Sequence, residues 1–330
     1  MKFITKPVCI LLSLLLLSPF LTRPVLAKPP STLTDLGTLG GSISYAYGIN
    51  NQGQVVGGSG TGSGETHAFL WQNGIMTDLG TLGGAYSQAY AINDRGDIVG
   101  ASNTSNGELH PFLWQNGTMF DLGVLGTTHS SAALAINNKG EIVGYSDGHA
   151  FFWKSGIMAD LGTLGGSYST AVGINDSEQI VGWSNDINGI SQPVEWKNGQ
   201  TTILPTLGAN FASPYGINNK GDIAGYATTL NGEQHAVVWE NGAIQDLGTL
   251  NGGTHSIGTS INQHGVIAGY SSTNTSTSNF AAIWSKGTIT ALGTFPGGDR
   301  IEAYSINDKG QAVGYGSSPT FSSHAFIYNP

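Results

Sequence analysis

The chain has 330 residues, of which 50 are glycine, 10% are charged and 9% are aromatic. A low charge together with this aromatic content is not the composition of a disordered protein. Its 21 acidic residues outnumber its 12 basic residues, for a formal net charge of −9. This balance argues against binding to nucleic acid or to an anionic membrane, because both require a basic protein surface.

The first predicted element is a secretory signal peptide over residues 1–27. Lys2 and Lys6 form its basic start, residues 8–21 are almost wholly apolar, and residues 25–27 (VLA) suit cleavage. The apolar run is short for a membrane-spanning helix. We therefore expect a secreted protein, extracellular or periplasmic.

Cleavage would leave residues 28–330 as the mature chain, with nine basic and 21 acidic residues. Cys9 would leave with the signal peptide, so packing rather than disulfides must stabilise the mature protein. No second apolar segment follows, and we expect no membrane span in the mature chain.

The mature sequence repeats a unit of about 43 residues seven times. The heptapeptide DLGTLGG occurs unchanged at residues 35–41, 78–84 and 160–166, with altered copies at residues 121, 203, 246 and 291. An Ile-Asn pair recurs in every repeat, and its asparagines are Asn50, Asn93, Asn137, Asn175, Asn218, Asn262 and Asn307. A His-Ala-Phe-Leu-Trp segment, such as residues 67–71, completes the pattern.

Each repeat predicts four short strands, A to D, which in the first repeat are residues 46–50, 54–58, 67–71 and 75–79. Asn-Asn-Gln-Gly and Gln-Asn-Gly supply the A–B and C–D turns. No stretch has helical periodicity. The repeat length predicts an all-β fold, a seven-bladed β-propeller of four-stranded antiparallel blades in one domain, residues 28–330. A solenoid ranks second, because its repeats are shorter.

The order of strands also predicts how the ring closes. The mature chain starts with a D strand at residues 33–36 and ends with a C strand at residues 324–328, so the last repeat lacks its own D strand. We expect the N-terminal strand to pair there and join the first blade to the last.

Strand A is expected to be innermost. Small residues such as Ala46 and Gly48 should face the crowded axis, whereas Tyr47 and Ile49 on the other side of the strand should pack between blades.

The combined motifs DLGTLGG, Gly-Ile-Asn, Ile-Val-Gly and His-Ala-Phe resemble the HAF repeat family of probable extracellular repeat proteins. His-Ala-Phe stands at residues 67–69, 149–151 and 324–326, and is weakened at residues 110–112 and 235–237. The resemblance covers residues 32–328. It implies secretion and a repeat architecture, and it implies no established activity.

The repeated histidines and asparagines are expected to be structural, and no metal site or cofactor is predicted. Each blade would carry one histidine and one asparagine of the repeat, so equivalent side chains in neighbouring blades would lie about 10–20 Å apart. A metal ion lies about 2 Å from each of its ligands, so these side chains could not share one. The histidines, such as His67, could bond to a loop carbonyl. The asparagines should hold the A–B turns.

Five aromatic residues form the candidate ligand-binding site. They follow the B-strand glycine and lead into the variable B–C loops: Tyr145, Trp183, Tyr226, Tyr270 and Tyr315. The first two repeats have Gly58 and Ala101 instead. An arc of aromatic rings could stack on sugars or hold a peptide. The alternative is that the rings pack between blades.

Acidic residues outside the consensus are the candidates for hydrolytic chemistry: Asp186, Glu195, Asp299 and Glu302. Glycoside hydrolysis needs two carboxylates about 5–10 Å apart, and these residues belong to different repeats. Decay of the repeat is the alternative explanation, and no catalytic residue is assigned.

The function expected from the sequence is that of a monomeric, non-catalytic binding scaffold. Its ligand would be a polysaccharide or a surface protein, bound at the face that carries the variable loops. Two alternatives stay open: a glycan-active hydrolase or lyase using carboxylates near the axis, and a purely structural surface or matrix protein.

Overall fold

A computed structural model describes residues 31–127 and 130–330. The predicted signal peptide lies outside these residues. The described residues form 28 β-strands and no helix, and none of them belongs to a helix that could span a membrane. The expected all-β class is therefore confirmed.

The strands occupy the four positions A to D predicted from the repeat. The A strands are β2 (Gly40–Ile49), β6 (Gly83–Ile92), β10 (Ser131–Ile136), β14 (Gly165–Ile174), β18 (Gly208–Ile217), β22 (Gly252–Ile261) and β26 (Ile301–Ile306). The B strands are β3 (Val55–Thr61), β7 (Ile98–Thr104), β11 (Ile142–Ser146), β15 (Ile180–Asp186), β19 (Ile223–Thr229), β23 (Ile267–Thr273) and β27 (Ala312–Ser318).

The outer positions are equally regular. The C strands are β4 (Thr66–Gln72), β8 (Leu109–Gln115), β12 (His149–Lys154), β16 (Ser191–Lys197), β20 (Gln234–Glu240), β24 (Ser276–Ser285) and β28 (Phe321–Asn329). The D strands are β5 (Ile75–Asp78), β9 (Thr118–Asp121), β13 (Ile157–Asp160), β17 (Gln200–Ile203), β21 (Ala243–Asp246), β25 (Thr288–Ala291) and β1 (Thr32–Asp35).

Neighbouring strands pair antiparallel in the order A-B-C-D, and each such group of four is called a unit. Unit 1 begins with β2 and unit 7 with β26. The D strand of unit 7 is β1, which pairs antiparallel with β28 in the register Thr32 to Asn329 through Asp35 to Phe326. The predicted pairing of the N-terminal and C-terminal strands is thus present.

This arrangement gives the molecule two ends with different connections. The A–B and C–D turns lie at one end, called the turn face, and the B–C loops and D–A crossings lie at the other, called the loop face. Most A strands begin earlier than predicted. Gly40 and Gly41, the last residues of the first DLGTLGG, already belong to β2.

The repeated asparagines hold the A–B turns as predicted. The side-chain Oδ1 of Asn50 accepts hydrogen bonds from the backbone N–H groups of Gln52 and Gln54, at 3.1 and 3.0 Å. Gly53 takes the left-handed conformation at φ 80°, which favours glycine. Glu178 takes the same conformation at φ 59° in unit 4, where the consensus glycine is absent.

The same asparagines also connect neighbouring units, which the sequence did not predict. The Nδ2 of Asn50 donates to the carbonyl of Asn93 at 3.1 Å, and the pattern continues from each unit to the next. Asn307 then donates to the carbonyl of Asn50 at 3.0 Å. The hydrogen bonds therefore return to the residue at which they began.

The hydrophobic core lies between neighbouring units. Val56 and Ala68 of unit 1 pack with Ala89, Ile98 and Phe112 of unit 2, and all five are fully buried. The equivalent cluster between units 7 and 1 contains Ala46, Phe69 and Val313, among others. Each unit therefore buries its faces against the next, and no unit has a complete core of its own.

The glycine of the Ile-Val-Gly segment is required by the close approach of strands A and B. A Cβ atom added at Gly100 would lie 1.9 Å from the carbonyl oxygen of Gln88, and one at Gly57 would lie 1.8 Å from that of Tyr45. No side chain fits at such a distance.

The DLGTLGG heptapeptide is an architectural motif. The carboxylate of Asp78 accepts a hydrogen bond from the backbone N–H of Gly80 at 2.8 Å, and the Thr81 hydroxyl donates to the carbonyl of Gly84 at 2.7 Å. Leu79 and Leu82 pack in the core between units 1 and 2. The motif thus shapes the crossing from one unit to the next.

Candidate functional site

Each A strand contains a β-bulge close to its turn-face end. The pairing register between strands A and B shifts at the same place in every unit, for example between Ala46 and Gly48. A bulge leaves one residue unpaired and redirects its side chain. The unpaired residues are Tyr47, Tyr90, Leu134, Val172, Tyr215, Thr259 and Tyr304.

These seven side chains line one cavity at the centre of the molecule. Its volume is about 310 Å³, and Trp183, Ile257 and Tyr270 complete its wall. Three of the tyrosines come from consecutive units: the ring centroids of Tyr47 and Tyr90 are 5.8 Å apart, and those of Tyr47 and Tyr304 are 5.5 Å apart. All seven units thus contribute to a single aromatic and aliphatic pocket, the axial cavity.

This arrangement corrects one sequence prediction. Tyr47 and its counterparts do not join the hydrophobic core between units, because the bulge directs them into the axial cavity, where tyrosines of neighbouring units meet. The small residues behave in two ways. Ala46 is fully buried in the core between units 7 and 1, whereas Gly48 lies where a Cβ would be 3.2 Å from Ala91 of the next A strand. The crowding expected near the axis is real at Gly48.

The five aromatic residues predicted as a binding site all lie beside the bulge residues, and all are half-buried. Trp183 and Tyr270 line the axial cavity directly. Tyr226 stacks on Tyr215 at 6.0 Å, and Tyr315 stacks on Tyr304 at 5.8 Å.

Tyr145, the fifth residue, is close enough to Tyr86 and Tyr90 to influence their ionisation. The structure therefore joins the predicted aromatic set to a second set from strand A. Sequence reasoning had assigned that second set to the packing between blades.

Other side chains replace the missing aromatic residues of the first two units. Tyr45 packs edge-on against Tyr315 with ring centroids 4.9 Å apart. Gln88 covers Gly58, where a Cβ would lie 3.2 Å from the Gln88 Cγ, and it accepts a hydrogen bond from the Tyr86 hydroxyl. The aromatic and polar wall thus continues past the units that carry Gly58 and Ala101.

Glu302 anchors a polar network at the loop-face side of this wall. Its carboxylate is 2% exposed and accepts hydrogen bonds from Asn279 at 2.6 Å, from Arg300 at 2.6 and 3.0 Å, from Tyr304 at 2.8 Å and from Tyr315 at 3.0 Å. The guanidinium of Arg300 also lies 5.4 Å from the centre of the Tyr315 ring. Arg300 is half-exposed, so the network reaches the surface.

The network keeps Glu302 ionised. Burial alone would raise the pKa of its carboxyl group, but the hydrogen bonds from Asn279, Arg300 and Tyr304, together with the charge of Arg300, hold that pKa below its ordinary value. A general acid in glycoside hydrolysis needs a raised pKa. Glu302 is therefore poorly suited to protonate a leaving group.

The other acidic candidates have local partners. Asp186 accepts hydrogen bonds from the backbone N–H groups of Asn188 and Ile190, and Glu195 accepts one from Gln179 at 2.9 Å. Asp299 accepts a hydrogen bond from the Ser317 hydroxyl at 2.8 Å. These contacts show turn-forming and strand-linking roles, and none of them is with another of the four candidates.

Burial raises the pKa of the tyrosines around the cavity. The pKa of Tyr47, Tyr226 and Tyr315 rises to about 12, and desolvation also raises the pKa of Tyr90 and Tyr304. Their hydroxyl groups are therefore neutral at physiological pH. The hydroxyl groups of Tyr304 and Tyr315 donate to Glu302, and the neutral rings keep the negative face of an aromatic system.

The repeated histidines bond to the DLG aspartates, not to loop carbonyls as expected. The Nδ1 of His67 lies 2.8 Å from the carboxylate of Asp78, and the equivalent contacts occur at His110, His149 and His235. His324 makes this contact with Asp35 at 2.9 Å, between the two ends of the chain. Among the described residues, no three metal-ligating side chains are grouped so as to hold a metal ion.

The two faces differ strongly in charge. Among the described residues, nine acidic and seven basic residues lie at the turn face, whereas Arg300 is the single lysine or arginine at the loop face. The acidic residues at the loop face are Asp35, Glu65, Asp78, Glu108, Asp121, Asp147, Asp160, Asp186, Glu233, Asp246, Asp299 and Glu302. Most of the acidic residues that the structure describes therefore lie at the loop face.

Neither a protein-family model nor a curated protein sequence matches this chain. Solved structures do resemble it. A streptogramin B lyase has a TM-score of 0.59 at 13% identity, over 91% of this chain and 97% of the lyase. The β-propeller domain of the Trilobed protease from Pyrococcus furiosus has a TM-score of 0.58 at 11% identity, over 87% of this chain and 95% of that domain.

The WD40 β-propeller domain of Doa1 has a TM-score of 0.55 at 14% identity, over 91% of this chain and 97% of that domain. At these identities the likeness shows the fold alone. The chain therefore has a β-propeller fold, and its function must be argued from its own residues.

Proposed function

We propose that this chain is a secreted, seven-bladed, closed β-propeller of the HAF repeat family that acts as a non-catalytic binding scaffold. The units defined above are its blades. The cycle of asparagine hydrogen bonds from Asn50 back to Asn307 supports both the number of blades and the closure. The pairing of β1 with β28 and the contact of Asp35 with His324 support the same closure.

The axial cavity carries the functional proposal. Compact pockets lined by aromatic and aliphatic side chains, with a few polar groups at the edge, are the usual form of small-ligand sites. Here Tyr47, Tyr90, Tyr215, Tyr270 and Tyr304 bring their aromatic rings to one place. Sugar rings stack well on such faces, so we propose the end of a polysaccharide as the ligand.

The hydrolase alternative has less support. Glu302 is the acidic candidate buried next to the cavity wall, and its carboxylate is occupied by Arg300, Asn279 and two tyrosines. Asp299 accepts a hydrogen bond from Ser317 instead. Release of new sugar ends from a bound glycan by the wild-type protein, with loss of that release in Glu302→Gln, would favour the enzyme over the scaffold.

A glycan array with residues 28–330 tests the proposal. We expect binding to a subset of glycans, followed by calorimetric titration of the best ligand. The variant Tyr270→Ala should weaken that binding, because Tyr270 lines the cavity. The matched control is Tyr168→Ala, which removes a tyrosine that is 38% exposed and does not line the cavity. Absence of binding to every glycan, or equal losses in both variants, would contradict the proposal.

A further inference from the structure

The axial cavity has the surface chemistry of a cation-binding aromatic pocket. Neutral tyrosine and tryptophan rings have a negative face, which attracts ammonium groups within about 6 Å of the ring centre. The centroids of Tyr47, Tyr90 and Tyr304 are 5.5 to 5.8 Å from their neighbours, and Tyr270 is 6.4 Å from Tyr304. A group placed among these rings would contact more than one of them.

The charge of the surrounding face points to the same chemistry. Among the residues that the structure describes, the loop face carries twelve acidic residues with Arg300 as its single lysine or arginine, whereas the turn face is nearly balanced. Five of the twelve carboxylates contact the repeated histidines. Arg300 itself is neutralised by its contact with Glu302 at 2.6 Å. A face of one sign raises the local concentration of oppositely charged ligands and repels ligands of its own sign. The loop face therefore disfavours acidic glycans and favours cationic ones.

We propose that the ligand is a polysaccharide with free amino groups, and that a protonated amine of its terminal sugar enters the axial cavity. This inference rests on the proposed function and names the ligand class of the same site. The sugar ring stacks on one tyrosine, and the ammonium group lies over the faces of its neighbours. A neutral sugar of the same shape forms only the stacking contact.

Two matched oligosaccharides test this inference. A glucosamine tetramer and an N-acetylglucosamine tetramer share one backbone and differ in the charge of the amine. We expect the glucosamine tetramer to bind at least tenfold more tightly. Its Kd should rise between about 20 mM and about 300 mM salt, because salt screens the attraction of the loop face.

Two pairs of variants locate the effect. Tyr47→Leu keeps an apolar side chain but removes a ring face, and should weaken glucosamine binding roughly 2- to 30-fold, the range of a cation–π contact. Its control is Tyr168→Leu, outside the cavity. Asp299→Asn removes a loop-face charge and should weaken binding at low salt, whereas Glu240→Gln removes an exposed charge at the turn face and should not.

The outcomes separate this inference from the proposed function. If the N-acetylated tetramer binds as tightly as the charged one and Tyr47→Leu abolishes both, the scaffold stands and the preference for a cation is wrong. If a lysine tetrapeptide binds and glucosamine does not, the cation preference holds for a peptide and the polysaccharide inference is overturned. If none of the three probes binds, both the glycan-binding scaffold and the preference for a cation are overturned.

Discussion

Ser44 offers a direct test of whether the two ends of the chain close the propeller. Its fully buried hydroxyl donates to the carbonyl of Gly37 at 2.6 Å and accepts a hydrogen bond from the backbone N–H of Ala325 at 2.9 Å. The second bond joins residues 281 positions apart. Ser44→Ala removes both bonds and leaves the N–H of Ala325 buried without a partner.

The expected cost follows from these two contacts. A buried backbone group that loses its partner costs about 1–3 kcal/mol, and the lost hydrogen bond to Gly37 costs about 1 kcal/mol more. Ser44→Ala should therefore lower the free energy of unfolding by about 2–4 kcal/mol. The chain contains its own control. Ser169 is equally buried and makes the same two bonds, at 2.7 Å to Gly162 and 2.8 Å from Ala150, within a continuous part of the chain.

Urea denaturation followed by tryptophan fluorescence measures both variants. If the ends of the chain close a single ring, the two variants lose similar stability with an unchanged slope, because the whole ring unfolds as one unit. A normal loss for Ser169→Ala with almost none for Ser44→Ala would refute the reasoning. It would mean that the contact between β1, β2 and β28 is open in solution.

Three further predictions concern the core and the cavity. Gly100→Ala should prevent normal folding, seen as loss of soluble protein, because its Cβ would lie 1.9 Å from the carbonyl of Gln88, whereas Gly62→Ala, at a turn with open space around it and no left-handed φ, should be far milder. The folded pKa of Glu302 is depressed, so its stabilising contribution is present above 4.5 and is lost as the pH falls through the lower folded value. The stability gap between wild type and Glu302→Gln should therefore close in acid, and a gap independent of pH would contradict the assigned network. Tyr47, Tyr226 and Tyr315 have pKa values raised to about 12, so these side chains should stay protonated near pH 11 and ionise on unfolding, as followed by absorbance at the tyrosinate band. Ordinary ionisation of all tyrosines near pH 10 in the folded protein would show that the cavity is open to solvent.

Much of the fold could be predicted because the sequence states its repeat so clearly. The turn residues Asn50 and Gly53 mark the A–B turn, and the strand order places β1 beside β28. The turn depends on hydrogen bonds and backbone conformation among residues close together in the chain. The pairing of β1 with β28 follows from the order of the strands. The partner of the histidines was predicted wrongly, because a contact between His67 and Asp78 depends on which strand ends meet.

The candidate site was predicted only in part. Trp183 and Tyr270 were selected from their position after the B-strand glycine, and both line the axial cavity. Tyr47 and Tyr304 were missed, because strict alternation along a strand assigned them to the packing between blades. A signal was available: tyrosine recurs three residues before the Ile-Asn asparagine in four of the units.

The sequence by itself determined the repeat, the four strands of each unit and the turns between them, because these rest on local conformation and on the two-residue period of a strand. The tertiary structure decided where the side chains of strand A point. A β-bulge interrupts the alternation of each A strand, and neighbouring A strands converge on one axis. That convergence turns seven separate positions, from Tyr47 to Tyr304, into one cavity of aromatic and aliphatic side chains.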